Sequence, residues 1–534
     1  MVSRGQLRPI LKDEGSETMT FTAQRKRISS LAGVAVAAIL MAGCTPVVSD
    51  DGGGSASATP TAGGTLEVAQ AGDFQPGQVL ATRNGNFAWV RSVFEPLTEF
   101  DVDNEPQPVL ATEWSFPEDG MSATFTLRDD VTFHSGRQMT AEDVKWTFEK
   151  TKDPASASQV GFIAAKFSDI EVTSPTSLTV TFSEKMAPAS IFDFLEQTYI
   201  VDSETFDGLA DGSQIIGTGP YAVSDYSAGV SLTVERNDDW WGEGQYLDSM
   251  VFNRVGDSTA QLSALRSGRS QIGYGLSLVD AQGFASDPQF EVLDGGGIIY
   301  VLGVDVNQAP FDDVRVRQAI QYGIDRDRIN EQVFAGEATV TNLFWAPGAE
   351  GTTEEQANHY AYDPDKAREL IEEAGATGAS VPITVVSLPA TQSEYEIIAN
   401  NLSEIGLVPS AVPVDETTFN SLQNQGDLGP AFLLLHGQVG FGETTMLNSL
   451  PSLRADNPSH FDSPEYQELR GDFLTADTDQ SGQALSALTD YLLEQAFAVP
   501  IVQAPGKFVV SDSVQGLQIS KRGAMLFADA SLTK

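Results

Sequence analysis

The chain has 534 residues, 41% of them hydrophobic, which is too long for one compact core and too apolar for disorder; roughly three or four domains are allowed. Its 31 Lys and Arg stand against 74 Asp and Glu, a formal charge of −43. So acidic a surface repels phosphate backbones and anionic lipid, which argues against nucleic acid as a partner and against direct adsorption to a membrane, and favours solubility outside the cell.

In chain order, the first informative stretch is Arg25-Lys26-Arg27, followed by an apolar run from Leu31 to Met41 and the small residues Ala42 and Gly43. A charged start, a short oily middle and small residues at the cut predict a secretory signal over residues 1–43. The run is far short of the roughly 20 residues that a membrane-spanning helix needs. Asp13, Glu14 and Glu17 do not suit the start of a signal, so translation is expected to begin at Met19, with residues 1–18 untranslated. Leu40-Met41-Ala42-Gly43-Cys44 resembles the lipobox of bacterial lipoproteins, with Met41 where Leu is more usual. That resemblance implies cleavage before Cys44 and a diacylglycerol on its sulfur; two acyl chains suffice for stable anchoring. Cys44 is the only cysteine, so no disulfide can form within the chain and the exported fold must stand on packing. Residues 44–63, rich in Gly, Ser, Ala and Thr, read as a flexible tether to a body that starts near Thr65. Loss of residues 1–43 removes six basic and three acidic residues, so the mature chain carries 25 minus 71, or −46.

The body alternates strand and helix patterns. Period-two apolar residues mark "TLEV" at 65, "SATFTL" with Phe125 and Leu127 inward, "SLTVTF" with Leu178, Val180 and Phe182, and "SLTVER" with Leu232 and Val234. "TAEDVKWTFEK" predicts a helix capped by Thr140, with Glu142 and Asp143 in its first turn. "DDVRVRQAIQYGIDRDRI" places Val316, Ala319, Ile320 and Gly323 on one face. In "DPDKARELIEEAG", Asp363 is the N-cap, Pro364 the first helical residue, Ala367, Leu370, Ile371 and Ala374 the apolar stripe, and Gly375 the stop. Mixed elements over this length predict α/β lobes, with no repeat at a fixed period.

Motifs for chemistry are missing. The chain has no HExxH, no GxSxG and no GxxxxGK[ST]. Its four histidines, His134, His359, His436 and His460, lack ligand spacing and read as structural, so no metal and no cofactor are expected. Gly217-Thr218-Gly219 fits a tight turn better than a phosphate loop.

Several blocks carry a resemblance. "LRDDVTFHSGRQMTAEDVKWTFEK" (127–150), "GTGPY" (217–221), "VERNDDWWGEGQYLD" (234–248), "NQAPFDDVRVRQAIQYGIDRDRI" (307–329), "YDPDKARELIEEAG" (362–375) and "LSEIGLVPSAVPV" (402–414) resemble, in order, the extracellular solute-binding proteins of family 5, the oligopeptide, dipeptide and nickel class. The resemblance implies an α/β, two-lobed periplasmic-binding-protein fold of type II, with a hinge and a subdomain inserted in the first lobe. Lobe I is expected at 64–300 plus 505–534, with the insert at about 91–204, and lobe II at 301–504; the hinge is expected at Tyr300–Asn307 and Gln503–Lys507. It further implies a monomeric receptor on the outer face of the cell membrane. Such a receptor closes on a small solute, a peptide or oligosaccharide, and delivers it to an ABC permease driven by ATPase subunits. A lipid-anchored secreted hydrolase is the alternative, and it needs a nucleophile or acid/base pair that the sequence does not single out.

In peptide-binding members a lobe II segment supplies an aspartate for the peptide's α-ammonium, three residues after a tryptophan. Here the matching stretch is "LLLHGQVGFGETTMLNSL" (433–450), with His436 at the tryptophan position and Val439 at the aspartate position. A buried ammonium without a carboxylate costs several kcal/mol. Either Glu443 or another acid substitutes, or the solute lacks a free ammonium. Amide and aromatic side chains suit a neutral or glycosidic ligand, and Gln438, Phe441, Phe344, Trp345, Asn86, Phe87 and Trp89 are the expected contacts.

Overall fold

The computed structural model describes residues 60–81, 86–101, 105–346, 348–437, 441–476, 478–520 and 522–533. The signal, Cys44, most of the tether, and Gln438 and Val439 lie outside them. Among the described residues no helix is long and apolar enough to cross a membrane.

The chain opens with β1 (Thr65–Gln70). An insert follows, with strands β2 (Ala111–Ser115) and β3 (Ser122–Leu127), helix α1 (Ala141–Lys152), strands β4 (Phe167–Ser174) and β5 (Ser177–Phe182), and helix α2 (Pro188–Gln197). The four strands form their own sheet, in the order β2-β3-β5-β4. Phe125, Leu127, Leu178, Val180 and Phe182 are buried, as the period-two pattern requires. Thr140 caps α1 in a reciprocal capping box with Asp143.

The main chain path resumes with β6 (Tyr221–Ser227), β7 (Ser231–Arg236), β8 (Ser249–Arg254), β9 (Ile272–Tyr274) and the long β10 (Phe290–Val304). Helices α3 (Val314–Gly323), α4 (Arg326–Val333) and α5 (Pro364–Glu373) precede β11 (Ser380–Val386), α6 (Pro389–Glu404), β12 (Val408–Val414) and β13 (Ala431–His436). Then come α7 (Glu443–Ser449) and the long β14 (Ala498–Ser511). Asp363 accepts from the Lys366 N–H at the start of α5, and Gly375 follows its end with φ +69°. The apolar face over 314–328 is interrupted at Ile324, where Asp325 begins α4 as a new N-cap.

One large sheet takes the order β12-β11-β13-β10-β14-β9-β1-β8-β7-β6, and the short strand Thr339–Val340 also pairs β14. The antiparallel partners β10 and β14 belong to both halves of it. Residues 290–294 of β10 pair with 507–511, beside β9, while 297–303 pair with 498–505, beside β13. The ladder breaks between Asp294 and Gly297, opposite Pro505–Lys507. In the second half the inner strands β10 and β13 are buried on both faces. Phe432, Leu434, Ile299 and Val301 join one core cluster, and Leu433, Tyr300, Leu302 and Val304 the other. The first of these clusters continues into the insert through Phe125, Phe148 and Phe194, and α2 packs against α7.

The Gly217-Thr218-Gly219 stretch differs from the expected tight turn. Neither glycine has a positive φ. A Cβ on Gly217 would stand 1.9 Å from the Val93 carbonyl oxygen, and one on Gly219 2.6 Å from that of Ser92. These glycines serve close backbone approach. His134 locks the same place as a neutral imidazole: its Nδ1 accepts from Gly217 N–H at 3.3 Å, so Nε2 donates to the Gly219 carbonyl at 2.9 Å.

Candidate functional site

A cavity of about 380 Å³ lies where β10 and β14 cross between the halves of the sheet. Phe87, Tyr274 and Phe508 line it from the first half, and Tyr300, Phe334 and Ala390 from the second. Tyr274 stacks on Phe508 with centroids 5.3 Å apart and planes 13° apart, and Tyr300 packs on Phe334 at 4.6 Å. Gly295–Gly297 and Gly506 form the middle of the wall. A Cβ on Gly296, at φ +63°, would lie 2.6 Å from the Arg522 carbonyl oxygen, and one on Gly506 2.4 Å from that of Gly295. Glycine therefore lets the C-terminal segment close onto the crossing and brings Arg522 to the wall.

Arg522 is 4% exposed. Its Nε donates to Glu196 and its Nη2 to Asp193, both on α2, and the Phe441 ring lies 3.7 Å from its Cζ. Asp193 also accepts from the Gly442 N–H at 3.1 Å and from the Thr445 hydroxyl. Ser190 and Thr444 hydroxyls meet at 2.7 Å. The insert, the C-terminal segment and α7 thus join in one buried polar node. At the other end of the wall Lys507 Nζ lies 2.6 Å from Asp294 and 2.9 Å from Glu337.

Glu394 is on α6, one helical turn after the wall residue Ala390, and is 1% exposed. Neither carboxyl oxygen has a partner among the described residues, and burial pushes the group up to about 8. Burial raises Tyr300, and the Glu394 charge adds to that. Among the described residues no group of three or more His, Cys, Asp or Glu is placed to hold a metal ion.

Of the expected contacts, Phe87 stands on the wall and Phe441 meets it through Arg522. Asn86 sits beside Phe87 but its amide is spent on the chain, accepting from Gln75 N–H at 2.9 Å and donating to Gln75 O at 2.8 Å. Trp89, Phe344 and Trp345 are core residues away from the wall. Trp89 is 0% exposed, and Trp345 donates through Nε1 to the Thr489 hydroxyl at 2.9 Å. Glu443 is the first residue of α7 and is half-buried. Gln438 and Val439 fall just beyond the wall residue Gly437, outside the described residues. His436 is buried in β13, with Nε2 3.0 Å from the Ser452 hydroxyl. The sequence reading missed Arg522, Lys507, Asp193, Glu196 and Glu394.

Comparison with known proteins places this geometry. Residues 105–455 match the model of the bacterial extracellular solute-binding proteins, family 5 Middle. The chain is 24% identical over 497 residues to heme-binding protein A of Haemophilus influenzae, covering 86% of this chain and 90% of that one. It is 27% identical over 383 residues to the nickel-binding periplasmic protein of Escherichia coli, covering 66% and 71%. Its fold superposes with a TM-score of 0.75 on the ABC transporter-associated periplasmic binding protein DppA from Helicobacter pylori in complex with the peptide STSA, at 21% identity, over 89% of this chain and 99% of that one. The fold is the two-lobed type II periplasmic-binding-protein fold, an α/β architecture.

Proposed function

The chain belongs to the bacterial extracellular solute-binding proteins of family 5, and from that membership we propose that it captures a solute in the cavity at the strand crossing and delivers it to an ABC importer. The observation that carries this reading is the position of the cavity, walled by both halves of a sheet that β10 and β14 bridge. A ligand touching both walls favours the closed state over the open one, and closure changes the outer surface offered to a permease. We place the hinge at Gly295–Gly297, just before the expected Tyr300–Asn307, and at Pro505–Lys507, inside the expected Gln503–Lys507, because pairing is lost between Asp294 and Gly297; the register shifts again between Tyr300 and Val301. Lobe I then comprises 64 to about 295 plus about 506–534, with the insert at about 91–204, and lobe II the residues between.

The solute is a peptide, a peptide-like compound or an oligosaccharide. The peptide bound by the H. pylori neighbour supports the first, and the five aromatic rings on the wall suit all three. The receptor acts as a monomer without cofactor, held by lipid on Cys44 to the outer face of the membrane, with the permease and its ATPases as partners. It does no chemistry. The one serine on the described wall, Ser277, caps a helix: its hydroxyl donates to Asp280 at 2.8 Å and accepts from the Asp280 N–H at 3.1 Å.

Mass spectrometry of the small molecule that co-purifies with full-length protein in mild detergent tests the reading. A peptide, peptide-like compound or oligosaccharide returned unchanged is expected. A molecule recovered as cleaved products would replace the receptor by a hydrolase.

A further inference from the structure

The cavity wall carries a charge pattern that restricts its solute. Among the described wall residues only Lys507 and Arg522 are charged, and each cation is met by two carboxylates. Lys507 stands between Asp294 and Glu337, at 2.6 and 2.9 Å. Arg522 stands between Asp193 and Glu196, with all three side chains between 3% and 4% exposed. Each set sums to one net negative charge.

A carboxylate binds arginine best through the parallel N–H pair of the guanidinium edge. The Nε and Nη2 donors of Arg522 are already given to protein acids. The third nitrogen, Nη1, is buried from solvent, so no edge of the guanidinium is free to receive a carboxylate. A carboxylate on this wall would add a third negative charge beside two acids that share one cation. A neutral oxygen meets no such repulsion.

We propose that the cavity selects solutes without a free carboxylate. This rests on the receptor reading and names its solute class: end-blocked or cyclic peptides, or uncharged glycosides, in preference to ordinary peptides with a free C-terminus.

The test is competitive capture by full-length protein in detergent, read by mass spectrometry. One library holds di- to tetrapeptides, each as free acid and as C-terminal amide. A second holds neutral oligosaccharides and their uronic-acid counterparts. Enrichment of the neutral member of each captured pair by about tenfold or more is expected, one decade being the yield of a single well-placed interaction. Glu196→Gln removes one of the two charges on Arg522 and should shrink that ratio. Asp294→Asn, at a 64% exposed side chain, should shrink it through Lys507. Equal capture, or preference for the acids, overturns the proposal and leaves the receptor reading standing. Capture of nothing from either library removes both.

Discussion

Glu394 shows how one side chain can set a pH dependence. An ordinary glutamate in the unfolded chain titrates near 4.5, and burial raises this one to about 8 in the folded state. The folded protein therefore holds a proton that the unfolded chain has released, so its stability is fully present below about 4.5 and declines as pH rises toward 8. Glu95, raised to about 7 chiefly by burial, works in the same direction, against the indole N–H donors of Trp240 and Trp241 at 3.1 and 3.0 Å. Glu394→Gln should match the parent in thermal unfolding near pH 4.5 and exceed it at pH 8 by a few kcal/mol, since each tenfold change in proton affinity is worth about 1.4 kcal/mol. A variant less stable at every pH would mean that the carboxyl has a partner that the glutamine cannot replace. His134 and His436 act oppositely, lowered by burial to about 4 and about 3, so they withdraw stability as pH falls below 6.5. At this scale little was legible in the sequence. Arg522 sits in "ISKRGAM" among exposed-looking neighbours, and its acids are 326 and 329 positions away. Local pattern cannot report such a pairing. Conversely Trp89 and Trp345 looked like binding aromatics because a large ring reads alike in a core and a cleft until its neighbours are known.

Elements were read far better, because their causes are local. Helix α5 is bounded by Asp363, Pro364 and Gly375, each acting within one turn, and both ends fall where those residues put them. Strands β3, β5 and β7 follow from alternation alone. What local pattern could not give is how one element meets another, and the contact of α2 with α7 is the case that matters. Asp193 on α2 receives the Gly442 N–H and the Thr445 hydroxyl from the first turn of α7. Thr445→Val keeps the volume and deletes the donor, and should cost about 1–3 kcal/mol by leaving a buried carboxylate underpaired. The same change should expand the unliganded protein in small-angle scattering, since it weakens a link between insert and second lobe. Unaltered scattering together with an unaltered melting temperature would show that the link does not hold the lobes together. Thr140→Ala, by contrast, removes a cap within one element, and should lower stability by about 1 kcal/mol with ligand binding unaffected in titration calorimetry.

For the whole molecule, the proposed closure has the glycine-rich crossing as its hinge. Gly296→Val places a branched side chain at φ +63° and against the Arg522 carbonyl, so it should weaken solute capture at least tenfold while far-ultraviolet circular dichroism stays unchanged. Undiminished capture would move the hinge elsewhere. Cys44→Ala should release the protein from the membrane fraction into the medium, as followed by immunoblot; retention would mean that something other than lipid holds it. The fold was legible at this scale through ordered blocks of resemblance, which mark helices and turns of the scaffold. The solute was not, because the wall is assembled from single residues of many segments.

The central position of β14 bears on how the protein comes to be made. That strand lies between β10 and β9, yet it follows almost all of the rest in sequence. A nascent chain therefore emerges with two open sheet edges and cannot complete either lobe before this segment is synthesised. Unpaired edges invite association between unfinished chains. Passage through a secretion channel as an extended thread, with assembly postponed to the far side, suits a polypeptide whose keystone is delivered so late.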